Sequence, residues 1–167
     1  MKVWAVIYVF VGVLLAETEA QRLAKELMND ENVRFMRKHP SSSYKDGAAA
    51  WDNIADTSEG KKAKASRYGN APGGYAYLDV RILRALKKIS DSGYKIRISS
   101  MVGASHSSSS RHYKGLAVDI NTINDRPVSW QNPYYKRVLQ IFKSMGADQL
   151  LGPGDKGHSS HIHAGWR

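Results

Sequence analysis

Three histidines fall within six residues near the end of this chain, in Gly157-His158-Ser159-Ser160-His161-Ile162-His163. His161 and His163 are two apart, so on a β-strand both rings project from one face while Ile162 turns to the core. Such a pair can serve one site. A second stretch, Ser110-Arg111-His112-Tyr113-Lys114-Gly115-Leu116-Ala117-Val118-Asp119, adds an imidazole and a carboxylate. His112 and Asp119 are seven apart, which on an unbroken strand would send them to opposite faces. Gly115 between them is the expected bend, and Ala117 keeps the site side open. An ionisable acid inside Leu-Ala-Val-Asp-Ile is costly to bury without a strong partner, and a divalent cation is such a partner. His112, Asp119 and one ring of the His161/His163 pair therefore form a two-imidazole, one-carboxylate set suited to zinc, with a fourth position left to water. An open position implies catalysis, with a histidine outside the ligand set moving protons or stabilising an oxyanion.

The composition narrows the alternatives. With 167 residues and 42% hydrophobic residues there is material for one compact domain. The absence of cysteine excludes disulfide frameworks, thiolate metal sites and cysteine nucleophiles, so any metal must be held by nitrogen and oxygen. The net charge of +10 invites a nucleic-acid reading, and Lys61-Lys62-Ala63-Lys64 with Arg67 is the densest basic cluster. No nucleic-acid motif surrounds it, so no nucleic-acid partner is expected. The cluster reads either as a solvated face or as attraction to an anionic cell-wall surface.

Lys2 precedes an apolar run from Val3 to Ala16, followed by Glu17-Thr18-Glu19-Ala20. Fourteen apolar residues are too few to span a bilayer comfortably but suit a secretory signal, with cleavage after Ala16 or Ala20; the alternative is a buried N-terminal helix. Removal of residues 1–20, which carry one Lys and two Glu, raises the charge from +10 to +11. The expected product is a secreted or periplasmic monomer that no longer touches a membrane.

The elements that must position the candidate residues follow from periodicity. Leu23, Leu27 and Met28 mark a surface helix within 21–38, and residues 40–74 read as irregular with a short helix near 47–54. Pro72-Gly73-Gly74 is a turn. Leu78, Ile82, Ala85, Leu86 and Ile89 predict a helix ended at Gly93, and residues 94–99 alternate as a strand does. Leu116 to Ile120 reads as a central strand. Asn132 as N-cap and Pro133 at the first helical position open a second clear helix, which stops at Gly146. Short strands are expected around 149–151 and 161–166. The fold class is α+β, with a small antiparallel sheet carrying the zinc site and helices flanking it. Residues 21–74 form an N-terminal helical and irregular segment, and 75–167 the catalytic core, within one compact domain. Trp130, Tyr134 and Tyr135 read as packing or as a cleft lining. Ser107 to Ser110 read as a rim, and His39 and His106 have no partner at useful spacing.

The run Ser110-x-His112-x-x-Gly115-x-Ala117-x-Asp119 resembles the motif of the zinc-dependent D-alanyl-D-alanine carboxypeptidase family at all five fixed positions. The C-terminal His-x-His is similar to that of the same family and its lysostaphin and hedgehog relatives. The resemblance covers about residues 75–167. It implies His112, Asp119 and His163 as zinc ligands, His161 as the catalytic histidine and His158 as an additional active-site histidine. The implied substrate is the peptide part of peptidoglycan. Two departures stand out. The Ser-Gly-Tyr-Arg stretch of many members is replaced by Ser99-Ser100-Met101-Val102, so Arg97 or Arg111, with Ser110, becomes the candidate for substrate contact. The Glu-x-x-His form of the last motif is also absent, so a base must come from histidine or from Asp155. Two rival readings are a zinc-stabilised cell-wall binding module without turnover and a cationic protein that binds bacteria by charge.

Overall fold

Thr18 opens the first helix with a reciprocal cap: its hydroxyl accepts from the Gln21 N–H at 3.2 Å while the Gln21 side chain accepts from the Thr18 N–H at 3.0 Å. This opens helix α1 (Glu19–Asn29), whose Leu23, Ala24 and Leu27 face inward. The computed structural model describes residues 16–40 and 42–167, so the apolar run from Val3 to Ala16 lies, but for Ala16 itself, outside the described residues. Helix α1 does not continue to residue 38. Asp30 accepts from the Asn32 N–H at 2.9 Å and turns the chain into strand β1 (Val33–Phe35), which alternates buried, exposed, buried.

Helix α2 (Ala50–Ser58) follows, starting later than its sequence pattern places it, with Asp52 accepting from the Ala49 N–H at 3.0 Å. Strands β2 (Ala63–Lys64) and β3 (Tyr75–Ala76) then form a separate antiparallel pair. Helix α3 (Val80–Asp91) is capped by Asp79, which accepts from the Arg81 N–H at 2.8 Å, and Gly93 leaves the helix end at φ +82°. Strand β4 (Ile96–Ser100) leads to a 3-10 turn at Arg111–Lys114, then β5 (Ala117–Ile123) and β6 (Arg126–Pro127). Helix α4 is Tyr135–Ser144, shorter at its start than the Asn-Pro signal indicates. Asn132 is buried instead as a brace: its carbonyl accepts from the Tyr134 N–H at 2.9 Å, and its amide donates to the carbonyls of Arg126 and Pro127. Strands β7 (Gln149–Leu151) and β8 (Ile162–Gly165) end the fold. No helix among the described residues is long and apolar enough to cross a membrane.

The architecture is α+β, with the main sheet ordered β1-β4-β5-β8-β7 and β6 paired to β5. Every pairing is antiparallel except β1 with β4. Register assigns the two faces, because paired residues share a side. Ile98, Ile120 and Ile162 pair across the sheet and join Leu27, Ile82, Leu86, Val138 and Phe142 in the core under the helices. On the opposite face, Ser100 pairs with Asp119, and Asp119 with His163. One sheet therefore buries its isoleucines on one side and presents its ionisable groups on the other.

Gly115 makes the transition between the 3-10 turn and β5. It has φ +70°, and an added Cβ would lie 2.1 Å from the Tyr77 carbonyl oxygen. Gly115→Ala combines left-handed strain of about 1–2 kcal/mol with this clash against backbone. Urea unfolding is expected to show a loss above about 2 kcal/mol; an unchanged midpoint would contradict the packing of this bend.

Candidate metal centre

His112 is placed by three local features. Ser110 caps the 3-10 turn by accepting from the His112 N–H at 3.3 Å, Gly115 ends the turn, and the ring itself is 1% exposed. Its Nδ1–H donates to the Met101 carbonyl, which leaves the Nε2 lone pair directed at the cluster. Nε2 lies 3.1 Å from Asp119 Oδ1 and 3.2 Å from His163 Nδ1. His163 Nδ1 is 2.9 Å from the same Asp119 oxygen, and its Nε2–H donates to Gln149 Oε1 at 3.2 Å. Both rings thus spend one nitrogen on an outer partner that fixes tautomer and orientation, the usual arrangement for metal-binding imidazoles.

His161 sits on the same side, with Nε2 4.0 Å from Asp119 Oδ2 and its side chain one quarter exposed. The His158 ring is 4.8 Å from that of His161 and 5.9 Å from that of His163. His106, which has no signal in the sequence, is also here. Its ring stacks on His112 at 3.8 Å, and its Nε2–H donates to the Gly103 carbonyl at 3.0 Å. One ligand atom from each of His106, His112 and Asp119 lies within 4.8 Å of the others, so this group could hold a metal ion.

Burial alone would raise the Asp119 carboxyl. The charge and hydrogen bond of His112, followed by those of His163, instead hold it well below the usual carboxylate range. Burial pushes His106 down to about 4, with His112 adding to the shift. Burial also lowers His161 against the opposing pull of Asp119, and the neighbouring histidines reinforce the change. Asp119 is thus held ionised, and burial favours the neutral forms of His106 and His161; metal ligands must be deprotonated in the same way.

The cluster lies at the waist of a two-lobed cleft. One lobe, about 430 Å³, is lined by Ser107, Ser109, Ser110, Arg111, Gln149 and His158. The other, about 460 Å³, includes Arg97, Ser99, Asn121, Pro127 and Ser160. His106, Asp119 and His161 belong to both.

The candidate ligands and histidines, together with Ser110, Arg111 and Arg97, therefore border this cleft, though not all in the same role. Ser110 is committed as the turn cap. The Arg111 guanidinium is paired with Asp148, which also takes Arg167 at 2.7 Å. Arg97 has a lighter tie, one bond from Nε to Asn121 Oδ1 at 2.9 Å. Asp155 lines neither lobe; it accepts from the Gly152 N–H at 2.8 Å and braces its own loop. His39 lines neither lobe and pairs with Asp46 at 2.8 Å. Trp130 is exposed, whereas Tyr135 is buried. His106 and Gln149 were not signalled because their loop and strand approach the cluster only through tertiary packing.

No protein-family model, curated protein or solved structure matches the chain. Equilibrium dialysis against Zn²⁺ or Co²⁺ is expected to give one bound equivalent, and His112→Ala and Asp119→Ala are each expected to abolish it. Full binding by both variants would place the metal elsewhere.

Proposed function

We propose that this chain is an exported zinc peptidase that hydrolyses an amide bond in the stem or cross-link peptides of peptidoglycan, akin to the zinc D-alanyl-D-alanine carboxypeptidases. The observation that carries the reading is the triangle of His112 Nε2, Asp119 Oδ1 and His163 Nδ1, with sides of 3.1, 3.2 and 2.9 Å. Tetrahedral bonds of about 2.0–2.1 Å separate ligand atoms by roughly 3.3 Å, so the donor set fits zinc with little movement. His163 is preferred to His106 as the third ligand because it shares this triangle, whereas the His106 ring lies flat against the face of His112.

When bound, zinc supplies a Lewis acid and brings the pKa of water toward about 7. The chain's own groups supply the rest. His161 stands outside the triangle yet beside Asp119. Neutral at rest, it can take the proton of the attacking water, stabilise the tetrahedral oxyanion as imidazolium and return the proton to the leaving amine. His158 is next to it and can support that transfer. Arg97, which forms no ion pair among the described residues, is better placed to receive a substrate carboxylate than Arg111, which Asp148 already holds.

Zinc-loaded protein incubated with muropeptides is expected to create new amine and carboxylate ends, read by mass spectrometry. His161→Ala should lower kcat by about 100-fold or more while retaining zinc. No new ends across several wall types would overturn the peptidase reading, and turnover unchanged in His161→Ala would remove that histidine from the chemistry.

Export belongs to the same proposal. Cleavage after Ala20 would remove the Thr18 cap and the two bonds from Arg84 to Glu19, whereas cleavage after Ala16 keeps both. N-terminal sequencing of the exported product should therefore begin at Glu17; a start at Gln21 would contradict this.

A further inference from the structure

Arg34 on β1 and Arg97 on β4 are direct partners in the parallel pairing, and Arg97 is in turn opposite Thr122 of β5. Both arginines are exposed on the face that carries the histidine cluster, while Val33, Phe35, Ile96 and Ile98 turn to the core. Adjacent strands lie about 4.8 Å apart, so the two arginine side chains leave the sheet from neighbouring positions. Like charges directly opposite each other destabilise a sheet. Among the described residues, neither guanidinium forms an ion pair that would offset this; Arg97 has only its bond to Asn121.

The pair borders a cavity of about 140 Å³ that also takes in Lys95 and Thr122. Two acids stand on its rim. Asp125 is engaged by Lys95 at 3.8 Å, and Glu31 lies beyond ion-pair distance of either arginine. Arg97 also lines the cleft lobe that contains His161, so the cavity and the cleft share a wall.

We infer that Arg34 and Arg97 form a subsite for a carboxylate of the substrate peptide, distinct from the group being hydrolysed. This rests on the peptidase reading above and extends it to substrate class: stem peptides with free carboxylates over amidated ones. The spacing supports a peptide ligand. Thr122 is three residues from Asp119 along β5, which at about 3.3 Å per residue puts the subsite roughly 10 Å from the cluster. An extended peptide covers that in about three residues. Two guanidinium groups offer a carboxylate paired, charge-assisted hydrogen bonds that an amide cannot accept at equal strength.

The test compares a disaccharide stem pentapeptide with free side carboxylates and its amidated counterpart. Binding is measured by titration calorimetry on zinc-loaded His161→Ala protein, so that turnover does not interfere. The free form is expected to bind about tenfold more tightly. Adding Arg34→Gln should reduce that preference to within about twofold, and Arg34→Lys should restore part of it. Equal binding of the two peptides, binding of neither, or a full preference surviving Arg34→Gln would overturn the subsite. Failure of unsubstituted protein to cleave a peptide that shows the preference would overturn the peptidase reading alone.

Discussion

A carboxylate sealed within a sheet stays ionised only if its surroundings replace the water it has lost. Asp119 is 4% exposed and sits on the central strand, with one oxygen shared by two imidazole nitrogens at 3.1 and 2.9 Å. Much of the sheet's other face is isoleucine, so the cost of burying this charge cannot be avoided by turning it inward. A divalent cation answers that constraint more fully than the imidazoles alone, because it would bring two positive charges to the shared oxygen. The remaining features near the cleft follow from holding those three groups in place.

The N-terminal segment contributes to that holding. Asn53 is fully buried in α2, and its carbonyl oxygen accepts from the Val102 N–H at 2.8 Å and the Gly103 N–H at 3.2 Å. Ser66 accepts from the Ala104 N–H at 2.9 Å. The 101–106 loop braced in this way provides the Met101 carbonyl that fixes the His112 tautomer, and it also carries His106. Gly103 permits the approach, since a Cβ there would lie 1.9 Å from the Ala48 carbonyl oxygen. The same segment adds β1 to the sheet edge and with it Arg34.

Legibility in the sequence follows the range of the interaction. The His161/His163 pairing on one face, the bend at Gly115 and the helix over Ile82 to Ile89 are local patterns of period 2, chirality and period 3.6, and each has its counterpart in the structure. His106 has no such pattern, because it reaches the cluster by stacking across a loop. The parallel pairing of β1 depends on a partner some sixty residues away. Asn132 shows how a local signal can mislead: its side chain does cap a turn, but burial against β6 moves the helix start to Tyr135. Arg111 was readable as a free cation only until Asp148 was brought beside it.

Anomalous diffraction at the zinc edge from zinc-loaded crystals tests the central claim most directly. The account predicts one peak at about 2.0–2.2 Å from His112 Nε2, Asp119 Oδ1 and His163 Nδ1, with His161 unligated beside it. A peak ligated by His106 in place of His163, or no peak within the cleft, would contradict it.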